Sequence, residues 1–599
     1  MRVRGTSKSL KSGQAIVLFT LMISSVLIPI VGLAIDGGRG YLVRLKLSSA
    51  VDGGALAAAR LLGTGNDQAA QVDNATQTVK QFVSANFPAK FFGADIVGTP
   101  YVCVDPGVDS KDPCQVNGGG TSVNTFKVRT VVVSASAQMP TLFMSILGMP
   151  TVTVNAKGVA ARRDVRVVLV MDRSSSMQDY YTGGAQPPPY INDIALKFVN
   201  GFSGSTKSGR DELGLVVYGG SGIIAYPPRS LASDFTDFRQ FTPPDKDFGV
   251  STNMPQYLTE LRGGSNTGTA EGLYLAYMML RADANSNPEL ANKLNVIVLF
   301  TDGIPNGITT FANDPDGSVS KPMSSSCTDK PLGDWTASPL VSGSNTNMIG
   351  WLSQWGGNSY TNNTSAPHGL FPPMMAYASG WTGTGSDIDL YMKNADADNK
   401  LPTFGNPPKH ITQMTGCPAG DPMSTSITRI PDRDLYGNYT DLATGKVPSV
   451  GGLTPPLTSS GDPIYTLGSL FSTPTQCHGT WFNATLPTNA CQIGLASWNA
   501  AAHQAWKIWN QIVWDKTQKK NVADPGTYLS NPIIFTIGFD HSSSDRPDMT
   551  LLQMIANDPN SPISFAPNRI KGQSFYASDP NAVDNAFQQI SSQILRLSQ

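Results

Sequence analysis

Histidine and cysteine, the side chains that most often carry metal and redox chemistry, are scarce in this sequence: five His and six Cys in 599 residues. The histidines (His368, His410, His478, His503, His541) are scattered and none stands in a metal-ligand spacing with another. Clustered His or Cys ligands are what a zinc site needs, so none is expected. Charge is sparse too. Charged residues make up 15% of the chain and the formal net charge is −1, so no basic surface calls for a nucleic-acid partner. Catalytic signatures are also missing. There is no G-x-S-x-G elbow, no H-E-x-x-H and no Walker lysine; no catalytic residue is assigned and the chain is read as a non-enzyme. No internal repeat is found.

Length, glycine and proline are plentiful instead. The chain is too long for one ordinary core, so about two to four folded units are expected. Its 58 Gly and 43 Pro predict long irregular stretches. The even number of Cys suits a compartment outside the cytoplasm, where disulfides persist.

The N-terminus points to the same compartment. Arg2, Arg4, Lys8 and Lys11 precede an apolar run, Ala15–Ile35. At about 1.5 Å per residue that run matches the roughly 30 Å of a bilayer core. The basic flank places the N-terminus in the cytoplasm, although Arg39, Arg44 and Lys46, offset by Asp36, lie on the far side. A cleaved signal peptide with Gly32-Leu33-Ala34 as its small-residue site is the alternative, and either reading exports the rest of the chain. Helical periodicity continues through Tyr41, Leu42, Leu45, Leu47, Val51, Ala55, Leu56 and Ala59, so residues 14–62 are expected as one helix, half in the membrane.

Further on, residues 63–163 read as a small α+β stalk domain. Residues 64–86 form a polar helix, and β-branched runs at 128–136 and 151–155 form strands. Cys103 and Cys114 flank a Pro/Gly/Asp-rich loop and are expected to pair locally. From Asp164 strands and helices alternate, which predicts an α/β fold with a doubly wound, mostly parallel sheet. Its strands are expected at 165–171, 213–218, 296–301, 532–538 and 574–576. Its helices are expected at 191–202, 269–280, 496–515, 549–557 and 582–597. Residues 304–495 are too long for a connection. They hold Trp335, Trp351, Trp355, Trp381 and Trp481 with Cys327, Cys417, Cys477 and Cys491, more aromatic content than disordered segments carry. They read as a loop-rich, disulfide-stapled insertion whose four Cys allow three pairings. The expected organisation is thus a basic leader (1–13), a membrane helix (14–62), a stalk (63–163), and a sheet domain in two parts (164–303 and 496–599) around the insertion.

Three segments converge in such a fold. Asp172-Arg173-Ser174-Ser175-Ser176 leaves the strand ending at Met171. Asn266-Thr267-Gly268-Thr269 opens a helix. Thr301-Asp302-Gly303 leaves the strand ending at Phe300. Loops at the carboxyl ends of parallel strands line one crevice. Asp172 and Asp302 offer carboxylates; Ser174, Ser176 and Thr267 offer hydroxyls. An all-oxygen set suits a hard divalent cation, Mg²⁺ first, with Mn²⁺ or Ca²⁺ as alternatives.

D-x-S-x-S after a strand, then T-x-T at a helix start, then T-D-G, resembles the metal-ion-dependent adhesion site (MIDAS) of von Willebrand factor type A (vWA) and integrin inserted domains. The resemblance implies a vWA, Rossmann-like fold with Asp172, Ser174, Ser176, Thr267 and Asp302 as ligands. It also implies direct ligation by both serines, action of Asp302 mainly through water, and an acidic partner completing the coordination. Ser265 and Thr269 lie close to Thr267 and compete for its role.

A second resemblance lies at the N-terminus. Gly13-Gln14-Ala15-Ile16-Val17, Gly32 to Arg44 and Ala50 to Ala59 are similar to the start of TadE/TadG-like proteins of the Tad (Flp) pilus-assembly system, some of which join it to a vWA domain. This implies a single-pass protein of the bacterial inner membrane, with its bulk periplasmic or extracellular and other pilus-assembly proteins as partners. Prepilin-like members are cut after Gly and carry Glu five residues later. Here Leu18 stands five residues after Gly13, which leaves a permanently anchored assembly or tip protein and a polymerised subunit both open. The expected function is adhesion or assembly through the cation site; the alternative is a structural tether or minor pilus subunit.

Overall fold

The computed structural model describes residues 10–24, 28–62, 68–104, 129–202, 211–219, 222–227, 241–251, 253–261, 267–311, 349–353, 370–371, 434, 436–438, 488–515, 520–526, 528–541, 546–561 and 564–598. The chain divides into two units, Met1–Arg163 and Asp164–Ser598.

In the first unit, helix α1 (Leu10–Met22) and helix α2 (Ile28–Leu61) cover most of the segment expected as one helix over 14–62; residues 25–27, between them, lie outside the described residues. Helix α2 carries Asp36, Arg39, Arg44 and Lys46. Among the described residues no helix is long and apolar enough to cross a membrane.

Helix α2 packs on helix α3 (Gln68–Asn86) and on a four-stranded sheet. Strands β1 (Asp95–Ile96) and β2 (Tyr101–Val104) share one edge of β3 (Arg129–Pro140). Strand β4 (Thr151–Arg162) pairs antiparallel along the other edge, from Arg129↔Arg162 to Pro140↔Thr151. Val131, Val133, Ala135, Ala137 and Met139 alternate inward, as a period of two requires. They meet Val43, Leu47, Val51 and Ala55, spaced by four along α2, and Val79 and Val83 of α3. Gly53 lets the two helices close up: a Cβ there would lie 2.6 Å from the Phe82 ring. Cys103 on β2 is disulfide-bonded; Cys114, its expected partner, lies outside the described residues.

The second unit runs β5 (Val165–Asp172), α4 (Ile191–Asn200), β6 (Glu212–Tyr218), β7 (Gly222–Tyr226), α5 (Met254–Glu260), α6 (Thr269–Arg281) and β8 (Leu294–Thr301). A small antiparallel sheet follows, β9 (Gly307–Phe311), β10 (Ile349–Ser353) and β11 (Leu370–Phe371). Then come α7 (Thr488–Asn510), the hairpin strands β12 (Ile512–Asp515) and β13 (Lys520–Ala523), β14 (Ile533–Phe539), α8 (Met549–Ile555), β15 (Ser574–Ala577) and α9 (Pro580–Leu597). The main sheet is ordered β15-β14-β8-β5-β6-β7. Its first four pairings are parallel and β6–β7 is antiparallel, so the sheet is mixed. Every residue of β5, β8 and β14 is buried, as parallel strands covered on both faces require. On one face Gly272 of α6 lies over Val170 and Tyr218; a Cβ there would be 2.9 Å from the Tyr218 ring. On the other, Phe300, level with Met171, stacks on Phe587 of α9.

Most elements fall where the pattern put them. The helix expected over 496–515 stops at Asn510 instead. Gln511 takes a left-handed φ of 52°, which ends a helix, and Trp514 joins β12. Of the insertion, Trp351 lies on β10 and Cys491 on α7; the other Trp and Cys residues singled out there lie outside the described residues.

Several large buried polar side chains in this unit are paired. Arg166 meets Glu212 at 2.7 Å and Asp283 at 3.0 Å, and Trp498 and Trp509 donate at 2.8 Å to Asp548 and the Ile555 carbonyl. The tightest backbone approach is at Gly572, where a Cβ would stand 1.8 Å from the Ile534 carbonyl oxygen. Gly572→Ala must push strand β14 aside, and is expected to lower the unfolding free energy of this unit by about 3 kcal/mol. Denaturant titration checks this through the midpoint.

Candidate cation site at the carboxyl ends of the parallel strands

Neighbouring parallel strands β14, β8 and β5 end side by side, and each delivers a side chain to one point. Asp172 is the last residue of β5, Asp302 directly follows β8, and His541 lies two residues past β14. The turn after β5 holds Ser174 before a 3-10 helix, Ser175–Tyr180. Ser174 occupies the N-cap position, yet its side chain makes no capping hydrogen bond. Its hydroxyl faces the other donors instead.

Ser174 Oγ lies 3.0 Å from Ser176 Oγ and 3.0 Å from Asp302 Oδ1. His541 Nε2 is 2.8 Å from the other Asp302 oxygen, Oδ2. Asp172 Oδ1 accepts the Ser174 N–H at 2.8 Å, and Oδ2 accepts the Thr301 hydroxyl at 2.6 Å. The Tyr181 hydroxyl donates to the Asp172 backbone carbonyl. Tyr218 Oη, from β6, reaches the Phe300 carbonyl at 3.2 Å. Tyr180 and Phe539 flank the His541 ring at centroid distances of 4.5 and 5.0 Å.

Thr267 reaches the same end through its backbone. Its N–H donates to Asn306 Oδ1 at 2.7 Å and its carbonyl accepts the Asn306 N–H at 2.9 Å. The next residue, Gly268, donates to the Gly219 carbonyl beyond β6. Four of the five expected ligands are thus joined in one hydrogen-bonded chain; Thr267 is joined instead to Asn306, on the loop that leaves Asp302.

Asp172 and Asp302 are both fully buried. Burial pushes the Asp172 carboxyl well above the usual carboxylate range, and the neighbouring Asp302 charge pushes it further. The Thr301 and Ser174 donors offset only part of this. Burial, with the Asp172 charge behind it, also raises the Tyr181 and Tyr218 phenols, which stay protonated as donors. Two crowded, buried carboxylates are an environment that a bound cation relieves. The spacings fit one as well: neighbouring ligands at about 2.1 Å from a Mg²⁺ ion stand about 3.0 Å apart. Among the described residues no group of three or more His, Cys, Asp or Glu could hold a metal ion.

His541, Tyr218 and Asn306 are not among the ligands expected from sequence, and Thr301 enters there only as the first residue of the Thr301-Asp302-Gly303 motif. The signal for His541 was available: it follows the apolar run expected as a strand at 532–538, and so belongs to the same crevice as the other strand exits.

Residues 13–61 match the Flp pilus-assembly TadE/G-like (Tad) family. No curated protein matches the chain. Among solved structures, the chain is similar to a variant of the PilB minor pilin from Streptococcus sanguinis. That likeness has 13% identity and a TM-score of 0.28, and covers 78% of this chain and 75% of that one. It is also similar to the vWF domain of the type V pili tip protein Mfa5 from Porphyromonas gingivalis. There the identity is 16% and the TM-score 0.28, over 74% of this chain and 98% of that one.

Proposed function

We propose that this chain is a membrane-anchored pilus-assembly or adhesion protein of the Tad/Flp type, whose second unit is a vWA domain that binds an acidic partner through a divalent cation. The TadE/G-like match over residues 13–61 supports the pilus context. The cation reading rests on one observation: Ser174 Oγ stands 3.0 Å from both Ser176 Oγ and Asp302 Oδ1, beside the buried Asp172. Asp172, Ser174, Ser176, Thr267 and Asp302 would hold Mg²⁺, or Mn²⁺ or Ca²⁺, and the bound ion supplies an electron-poor centre for a carboxylate from the partner. His541 grips the outer oxygen of Asp302 and fixes the inner one toward the serines. The anchor lies in the apolar segment 15–35, where Ile16, Val17, Leu18, Phe19, Leu21 and Met22 are all exposed. It implies the bacterial inner membrane, with the N-terminus cytoplasmic.

The arrangement favours binding over catalysis. A serine nucleophile needs an imidazole on its hydroxyl. Here Asp302 stands between Ser174 and His541, so the histidine cannot take the serine proton directly.

A purely structural tether is the second reading. The observation favouring it is that both Asp172 oxygens already accept hydrogen bonds from within the domain.

The two readings separate in a capture experiment. Full-length chain in detergent is presented with the other pilus-assembly proteins, with Mg²⁺ or with chelator. The adhesion reading requires capture that chelator abolishes; capture indifferent to chelator supports the tether. His541→Ala should weaken Mg²⁺ or Mn²⁺ uptake about 10–100-fold, the usual cost of losing a residue that orients a ligand. Calorimetry reads this directly.

A further inference from the structure

The connection between β3 and β4 is apolar where a solvated turn would be polar. Leu142, Ile146 and Met149 expose 56%, 80% and 52% of their surface. They flank or ride on a short 3-10 helix, Met144–Leu147. Single exposed apolar residues are ordinary, but three on one turn form a patch.

This tip is tied to α2 at one level. Phe143 lies flush on the helix because residue 32 is glycine; a Cβ there would stand 2.5 Å from the Phe143 side chain. One turn further, the Asp36 carboxylate accepts the backbone N–H groups of Leu142, Phe143 and Met144 at 2.9, 2.8 and 2.8 Å. Burial pushes this carboxyl up, but the three N–H donors and Arg39 outweigh it and hold it below the usual range. The tether is therefore a charged one. It places the tip at the level of Gly32–Asp36, against a helix whose Ile30, Val31, Leu33 and Ile35 are themselves exposed.

Lipid is the partner this surface fits. On α1 the apolar residues from Ile16 to Met22 are exposed at nearly consecutive positions, so the helix is apolar all round. A protein groove covers one stripe of a helix; a bilayer surrounds it. Just past the apolar level the charges begin. Arg39 pairs with Asp36 and donates to the Phe92 carbonyl; the Phe92 ring is exposed, and Lys90, two residues before it, is exposed and paired with Asp95. Cations and an aromatic ring just outside an apolar band match an anionic headgroup layer.

We propose that the Leu142–Met149 tip is a second membrane-contacting element, which enters the bilayer beside the helix and fixes the depth and tilt of the first unit. The proposal rests on the anchor reading of residues 15–35. The test is made so that the two can fail separately.

The full-length chain is reconstituted into phosphatidylethanolamine–phosphatidylglycerol vesicles, with an environment-sensitive fluorescent amino acid replacing Ile146 in one preparation and Leu18 in another. Lipids brominated near the headgroup or deep in the chains serve as quenchers. The expected result is a blue-shifted probe at 146, quenched at least twofold more by shallow than by deep bromine, with the probe at 18 quenched by deep bromine. If 18 is quenched while 146 emits as in water, the tip proposal falls and the anchor stands. If 146 is blue-shifted but unquenched, a second copy of the chain covers the tip and the proposal falls as well. If neither probe is quenched, the anchor reading falls and takes the proposal with it.

Discussion

Asp172→Ala should abolish cation uptake, a loss of at least about 100-fold, because even residues that only orient a ligand are worth about 10–100-fold. Asp172 sits fully buried at the end of β5, close enough to Asp302 for the two charges to act on each other. The alanine variant also orphans two donors, the Ser174 N–H and the Thr301 hydroxyl. Part of any loss could therefore come from a collapsed turn. Asp172→Asn separates the causes: it keeps the side-chain shape and an oxygen for one donor while removing the charge. Both variants should lose Mg²⁺ and Mn²⁺ binding by calorimetry on the full-length chain, while circular dichroism stays unchanged. A charge-independent site would bind in Asp172→Asn as in the parent. That outcome, or no uptake by the parent chain, would end the cation reading.

The parts of this site that could be read from sequence are those where local pattern and topology coincide. Strands β5, β8 and β14 are continuous apolar runs, and a buried parallel strand has no other signature. Once such a strand is placed, its exit residues are placed too, which is why Asp172, Ser174, Ser176 and Asp302 could be named. His541 emerges from the same kind of exit, but it meets Asp302 across 239 positions. No local pattern says which side chain of a loop turns inward. One helix limit failed for a different reason. The apolar pattern runs straight through Trp506 to Trp514, so periodicity predicts continuation. A left-handed Gln511 decides otherwise. Strand β7 was not foreseen at all: a five-residue run at a sheet edge carries too little pattern to show that it turns antiparallel.

The Glu271–Tyr436 contact was likewise out of reach of pattern, and it carries the second large prediction: stability of the Asp164–Ser598 unit falls as pH rises from about 5 to 8, and Glu271→Gln removes that component. Glu271 lies in the first turn of α6, just after Thr267, fully buried. Its two oxygens accept the Thr309 and Tyr436 hydroxyls, each at 2.5 Å. Burial lifts its carboxyl from the ordinary 4.5 to about 7, although both hydroxyls pull the other way. A raised acid binds its proton in the folded state over a range where the unfolded chain has released it. Its favourable contribution is complete below about 4.5 and is lost as pH climbs through about 7, a span worth about 3 kcal/mol. Thermal unfolding at stepped pH, parent against Glu271→Gln, isolates this group from the other carboxylates; equal slopes would refute it. Tyr436→Phe sharpens the case, because removing one donor raises the carboxyl further and moves the loss to higher pH. The same hydroxyl is what ties the insertion to α6, with the Tyr436 ring stacked on Tyr274 at 3.9 Å. Helix α6 starts beside Thr267, and the insertion leaves the sheet directly after Asp302. The state of Glu271 thus bears on how firmly Tyr436 is held against α6.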